Sequence, residues 1–178
     1  LNLYTYVGND PLNRVDPLGL YECSGSKSDC KTIDSFVKGI NIAKGNLDPK
    51  SDAFKKVDAV SKFLGAAGEK NGVTLKSATW QGTALAKAGP GGNVSINVGA
   101  INSYAAKVQA VNPGANASDV RVAIGAGAVA HEGRHEQDFL RIGFPTSKAA
   151  EYRTELNAYR TEQGVHQGLG IRTGLFQA

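Results

Sequence analysis

Residues 131–135 read His131-Glu132-Gly133-Arg134-His135, an HExxH arrangement. Residues four apart on an α-helix lie one above the other, so both imidazoles can reach one metal ion with the Glu132 carboxylate beside them. Neutral imidazole suits zinc. Two histidines and one carboxylate leave a fourth position for water, and the metal brings that water's pKa down to about 7. Glu132 then stands where a general base is needed. The competing reading of the same residues is a solvated charged turn, because HExxH fixes only three positions and Arg134, Glu136, Gln137 and Asp138 begin a polar face. Two of the chain's three histidines fall in the motif, which favours the metal.

The element that must carry these residues is a long helix. Asn116-Ala117-Ser118-Asp119 offers capping side chains after Pro113-Gly114, and Val120 to Leu140 holds no proline, so the helix is expected to end near Gly143 and before Pro145. Val122 to Ala130 is small and apolar on every side, the mark of a buried helix. Gly125 and Gly127 each cost a helix about 1 kcal/mol relative to alanine, which reads as close packing against a neighbouring element. His131, Glu132 and His135 follow this run. Burying them without partners is costly, and a bound cation is one way to offset that cost.

A third ligand is expected on the next helix, Thr146 to about Gln163, capped by Thr146 or Ser147 after the short turn Ile142-Gly143-Phe144-Pro145. So short a connection predicts antiparallel packing, which brings the middle of the second helix to the motif. That helix offers Glu151, Glu155 and Glu162. HExxH followed by Glu155-Leu156-Asn157-Ala158 resembles the gluzincin type of zincin metallopeptidase, whose third ligand is the glutamate of Glu-x-x-Ala on the following helix. The resemblance implies zinc held by His131, His135 and Glu155, twenty residues past His135. Glu151, one turn earlier, is the alternative ligand or a partner to one. The metzincin pattern is absent, since Arg141 stands where its third histidine belongs. His166 is open to three readings: a ligand, a group that steadies an oxyanion, or a surface residue near a Gly-rich ending.

At 178 residues, 41% hydrophobic and 20% charged, the chain suits one soluble domain with a useful core. No apolar run approaches a membrane span, and the first residues lack the basic and apolar regions of a signal peptide. The net charge of +4 is mildly basic, but no Lys/Arg run is dense enough to argue for a nucleic-acid groove. Methionine is absent throughout, so a piece of a larger polypeptide is expected.

Residues 1–20 bear on that expectation. Leu1-Asn2-Leu3-Tyr4-Thr5-Tyr6-Val7-Gly8-Asn9-Asp10-Pro11 and Asp16-Pro17-Leu18-Gly19-Leu20 closely resemble the motif that closes the β-shell of Rhs-repeat polymorphic toxins. In that family a variable toxin domain follows the motif. The resemblance implies a break after Leu20 with Asp16 among the cutting residues, and a shell that encloses the toxin before delivery. It further implies a cognate immunity protein and delivery into a target bacterial cell, through a type VI secretion system. Read physically, Asn9-Asp10-Pro11 and Asp16 to Gly19 are turn formers along an extended tail with little core of its own.

The remaining segments read as scaffold. Cys23 and Cys30 lie in a Ser/Gly/Asp-rich loop; six intervening residues allow a small disulfide or two free thiols and fit no CxxC motif. From Thr32 a helix presents Ile33, Phe36, Val37 and Ile40 on one face. A second helix is expected from Asp48-Pro49 to about Leu64, with Phe54, Val57, Val60 and Leu64 inward. Strands are expected over Val73 to Trp80 and Asn93 to Val98, joined through the turn Gly89-Pro90-Gly91-Gly92, and a short helix over Ile101 to Val111. The zincin resemblance gives Asn93 to Val98 a possible job as the sheet edge where an extended substrate adds a strand.

The sequence thus predicts an α+β, mainly helical, zincin-like domain at 21–178 with a small β-sheet, behind an Rhs-type tail at 1–20. The expected activity is zinc-dependent hydrolysis of peptide bonds in a target-cell protein, as a toxin in interbacterial competition. Two rivals remain: an Rhs toxin of another chemistry, such as a nuclease, and a non-catalytic binding module in which HExxH is accidental.

Overall fold

The computed structural model describes residues 21–65 and 72–171. The Rhs-like stretch, with Asp16 and the break expected after Leu20, lies outside the described residues. The order of elements is β1 (Glu22–Ser24), α1 (Lys27–Asn46), α2 (Asp52–Leu64), β2 (Thr74–Ser77), β3 (Ala86–Gly89), β4 (Asn93–Ile96), α3 (Val98–Val111), α4 (Ala117–Ile142) and α5 (Lys148–Gly168). The fold is α+β and mainly helical, with one four-stranded sheet in the order β1-β2-β4-β3. β1 and β4 flank β2 in parallel, while β3 pairs antiparallel with β4.

α4 is the centre of the molecule. It packs on α1, α2, α3 and α5 and on the β3–β4 hairpin. A helix surrounded on so many sides cannot keep a polar face over its whole length, and Ala123 to Ala130 are all buried. The small residues let neighbours come close. A Cβ at Gly125 would strike the ring of Phe36 on α1, which is fully buried, and a Cβ at Gly127 would lie 2.5 Å from His166 Nε2 on α5. Overpacking of this kind costs about 1–3 kcal/mol, so glycine's helix penalty is offset by contact.

Local chemistry sets the helix limits. Asn116 Oδ1 accepts from the Ser118 and Asp119 N–H groups at the start of α4, and Gly143 ends it at φ 80. Ser147 caps α5 through the Ala150 N–H at 3.2 Å. α5 continues five residues past the predicted end, through His166 to Gly168. α2 starts at Asp52 behind the cap Ser51, not at Asp48-Pro49: those two residues belong to a turn before the helix, in which Asp48 Oδ1 accepts the Lys50 N–H, and the Ser51 side chain accepts the Phe54 N–H. α1 begins five residues before Thr32, and α3 begins at Val98 because Asn97 caps the Ala100 N–H.

The sheet corrects two expectations. The cysteine loop contributes β1, and Cys23 is bonded to Cys30 at the start of α1. Asn93–Ile96 is an inner strand between β2 and β3, not the edge. The edge facing α4 is β3, a strand of alanine, lysine and glycine without the β-branched alternation that marks a half-buried strand. Among the described residues no helix is long and apolar enough to cross a membrane.

Candidate metal centre

Antiparallel packing of α4 and α5 sets a ladder of contacts that descends one helix as it climbs the other. Glu155 meets His135 and His131, Glu162 meets His131, and Glu162 and His166 approach Gly127. His131 Nε2 and His135 Nε2 lie 3.2 Å apart. Glu155 Oε2 is 3.5 Å from the first, and Glu155 Oε1 is 3.3 Å from the second. Zinc bonds of about 2.0–2.1 Å in a tetrahedron separate neighbouring ligand atoms by about 3.3–3.4 Å. The three residues have the donor types of a zinc site, and with one ligand atom taken from each they lie within 4.8 Å of one another, so the group can hold a metal ion.

The imidazoles form the floor of the site, with side chains 13% and 7% exposed, whereas the Glu155 side chain is 45% exposed on the open side. Above them is a cleft of about 640 Å³ lined by all three residues together with Glu132, Glu151, Ala86 to Ala88 of β3, Phe139 and Phe144. Glu132 is held by β3, since the Ala88 N–H donates to its Oε2 at 2.8 Å. The other sequence candidates sort cleanly. Glu151 lines the cleft but is not in the three-residue group. His166 is buried against Gly127 rather than at the surface, and it is not among the residues lining the cleft.

Glu162 takes the role that sequence left undecided. His131 donates Nδ1–H to Glu162 Oε2 at 3.0 Å, which fixes the tautomer and leaves Nε2 facing the cleft. Glu162 lies two helical turns past Glu155, so the spacing alone placed both on one face of α5. Aromatic rings complete the setting. Tyr159 meets the His131 ring edge-on at 4.7 Å, Phe139 stacks on His135 at 5.7 Å, and Phe144 packs on Phe139 at 4.4 Å. These sequence reasoning missed, although Phe139 stands one turn past His135 and Tyr159 one turn past Glu155.

Charge is distributed unevenly over the site. Burial works against a charged His131, but the Glu162 hydrogen bond and the charges of Glu132, Glu162 and Glu155 outweigh it and raise its pKa. Burial and the neighbouring His131 lower His135, with Glu155 and Asp138 opposing. Burial also raises the Glu132 carboxyl, against the Ala88 N–H and His131. Ligating nitrogens must be free of protons, so the raised pKa of His131 sets metal binding in competition with its protonation. Asp138, almost fully buried, is gripped by Arg134 through two hydrogen bonds of 2.9 and 3.2 Å, which compensates its charge beneath the site.

Comparison of the chain with family models, curated proteins and solved structures finds no match.

Proposed function

We propose that this domain is a zinc-dependent metallopeptidase. The observation that carries the reading is the grouping of His131, His135 and Glu155, with one ligand atom from each within 4.8 Å of the others, beneath a cleft that Glu132 also lines. Zinc fits this donor set because two imidazoles and one carboxylate leave a position open, and when bound it acidifies water and polarises a carbonyl. The protein's own residues do the rest. Glu162 orients His131, and the aromatic rings keep both imidazoles in place. Glu132, not a ligand, is positioned to accept a proton from water attacking the carbonyl carbon and to return it to the leaving amine. An extended peptide lies along β3, the edge strand whose residues Ala86 to Ala88 line the cleft.

The resemblance of residues 1–20 to the Rhs closing motif supports a wider proposal. The domain is a toxin effector, enclosed by an Rhs shell, delivered into a target bacterial cell through a type VI secretion system and neutralised by a cognate immunity protein. The Cys23–Cys30 disulfide fits passage through an oxidising compartment.

Glu132→Gln tests the chemistry. General-base help is worth about 10²–10⁴-fold, so this variant should lose at least that much turnover while keeping zinc, because all three ligands remain. Cells expressing it should survive levels of protein that kill with wild type. Equal killing at equal expression defeats the peptidase reading and favours a toxin that uses other residues.

A further inference from the structure

Glu136 has no part in the chemistry above, yet it is a carboxylate with no solvent exposure, directly after the ligand His135. Its Oε2 accepts the Gly92 N–H at 2.7 Å, and its Oε1 has no hydrogen-bond partner among the described residues. An apolar side chain would fill this place at lower cost, since burying an incompletely paired carboxylate is expensive. What the acid provides is a strong, directional acceptor. Gly92 closes the turn between β3 and β4 at φ +83, where a Cβ would lie 2.6 Å from the Gly72 oxygen, and its own oxygen accepts the Thr74 N–H at 3.0 Å. The turn is therefore held between α4 and β2. One helical turn before Glu136, Glu132 holds the Ala88 N–H. Two carboxylates stacked on one face of α4 thus grip one hairpin at two points.

We propose that Glu136 is a positioning residue for the substrate: by pinning the β3–β4 turn to α4, it fixes the distance and register of edge strand β3 beside the metal ligands. The inference rests on the peptidase reading, because β3 matters in this way only if a peptide pairs with it. Long substrates, which use the whole strand, should depend on Glu136; short ones should not.

The test compares the zinc-loaded wild-type chain with Glu136→Leu, which keeps bulk and loses the acceptor. Glu136→Asp, which keeps charge and loses reach, is a second loss variant should the leucine form fail to fold. Glu136→Gln retains a carbonyl acceptor. In the loss variants, amide hydrogen exchange over residues 86–92 should quicken by about 10–100-fold, as expected for losing one hydrogen bond to a charged group, with α4 unchanged and zinc retained. KM for unfolded casein should rise by a similar factor at nearly constant kcat, while cleavage of a fluorogenic dipeptide stays as in wild type. Glu136→Gln should restore both readouts. Unchanged exchange over 86–92, or equal losses on casein and dipeptide, overturns the role. A wild-type chain that cleaves neither substrate defeats the peptidase reading and this role with it, whereas an active wild type whose Leu and Asp variants match it defeats this role alone.

Discussion

Glu162 is the residue on which the geometry of His131 turns. Its carboxylate accepts from Nδ1 at 3.0 Å, and its Cγ lies 3.3 Å from where a Gly127 Cβ would sit, so α4 and α5 must approach closely for the contact to form. Partners of this kind raise the basicity of a ligating imidazole and hold its ring, and their loss costs about 10–100-fold in metal affinity. Glu162→Ala should weaken zinc by that factor in a chelator competition without abolishing binding, because no ligand is removed. Glu162→Gln, whose amide oxygen can still accept from Nδ1–H, should fall between Ala and wild type. Affinity unchanged in the alanine form would show that the Phe139 and Tyr159 rings suffice to hold the imidazoles.

Among the elements, α4 and α5 were the most legible in the sequence, because caps, a proline-free run and a short connection are local signals that survive into the fold. Asn116, Gly143 and Ser147 sit where their chemistry places them. The two histidines followed from their spacing within α4, and the short turn brought the glutamates of α5 near them, but the choice of Glu155 over Glu151 came from the resemblance to gluzincins. The sheet was not legible in the same way. β3 carries Ala86, Lys87, Ala88 and Gly89, whose types say little about strands, and it exists because β4 and α4 offer it partners. His166 was equally opaque: its burial depends on the space left by Gly127, thirty-nine residues earlier. β1 is three residues long and owes much to the bond between Cys23 and Cys30, which ties it to α1. Closing a loop this short is worth about 2–3 kcal/mol on chain-entropy grounds. The Cys23→Ser, Cys30→Ser double variant should lose about that much in chemical denaturation. Stability within about 0.5 kcal/mol of wild type would show that β1 is held by its pairing to β2 alone.

At the scale of the molecule, α4 is buried along Ala123 to Ala130 and turns polar again where it meets a cleft between α5 and an edge strand. The sequence pattern changes there for the same reason: small apolar residues up to Ala130, then His131, Glu132, His135 and Glu136 within six positions. Without a cation, this arrangement gathers buried titratable groups around mutually opposing demands, with His131 drawn towards charge and His135 away from it. A single divalent ion would satisfy the two imidazoles and Glu155 together. The measurement that tests this most directly is the zinc content of the purified chain, wild type against the His131→Ala, His135→Ala double variant, after exposure to zinc and removal of loosely bound metal. One zinc per wild-type chain and essentially none in the double variant is the predicted result; stoichiometric zinc in the double variant, or none in a folded wild type, contradicts it.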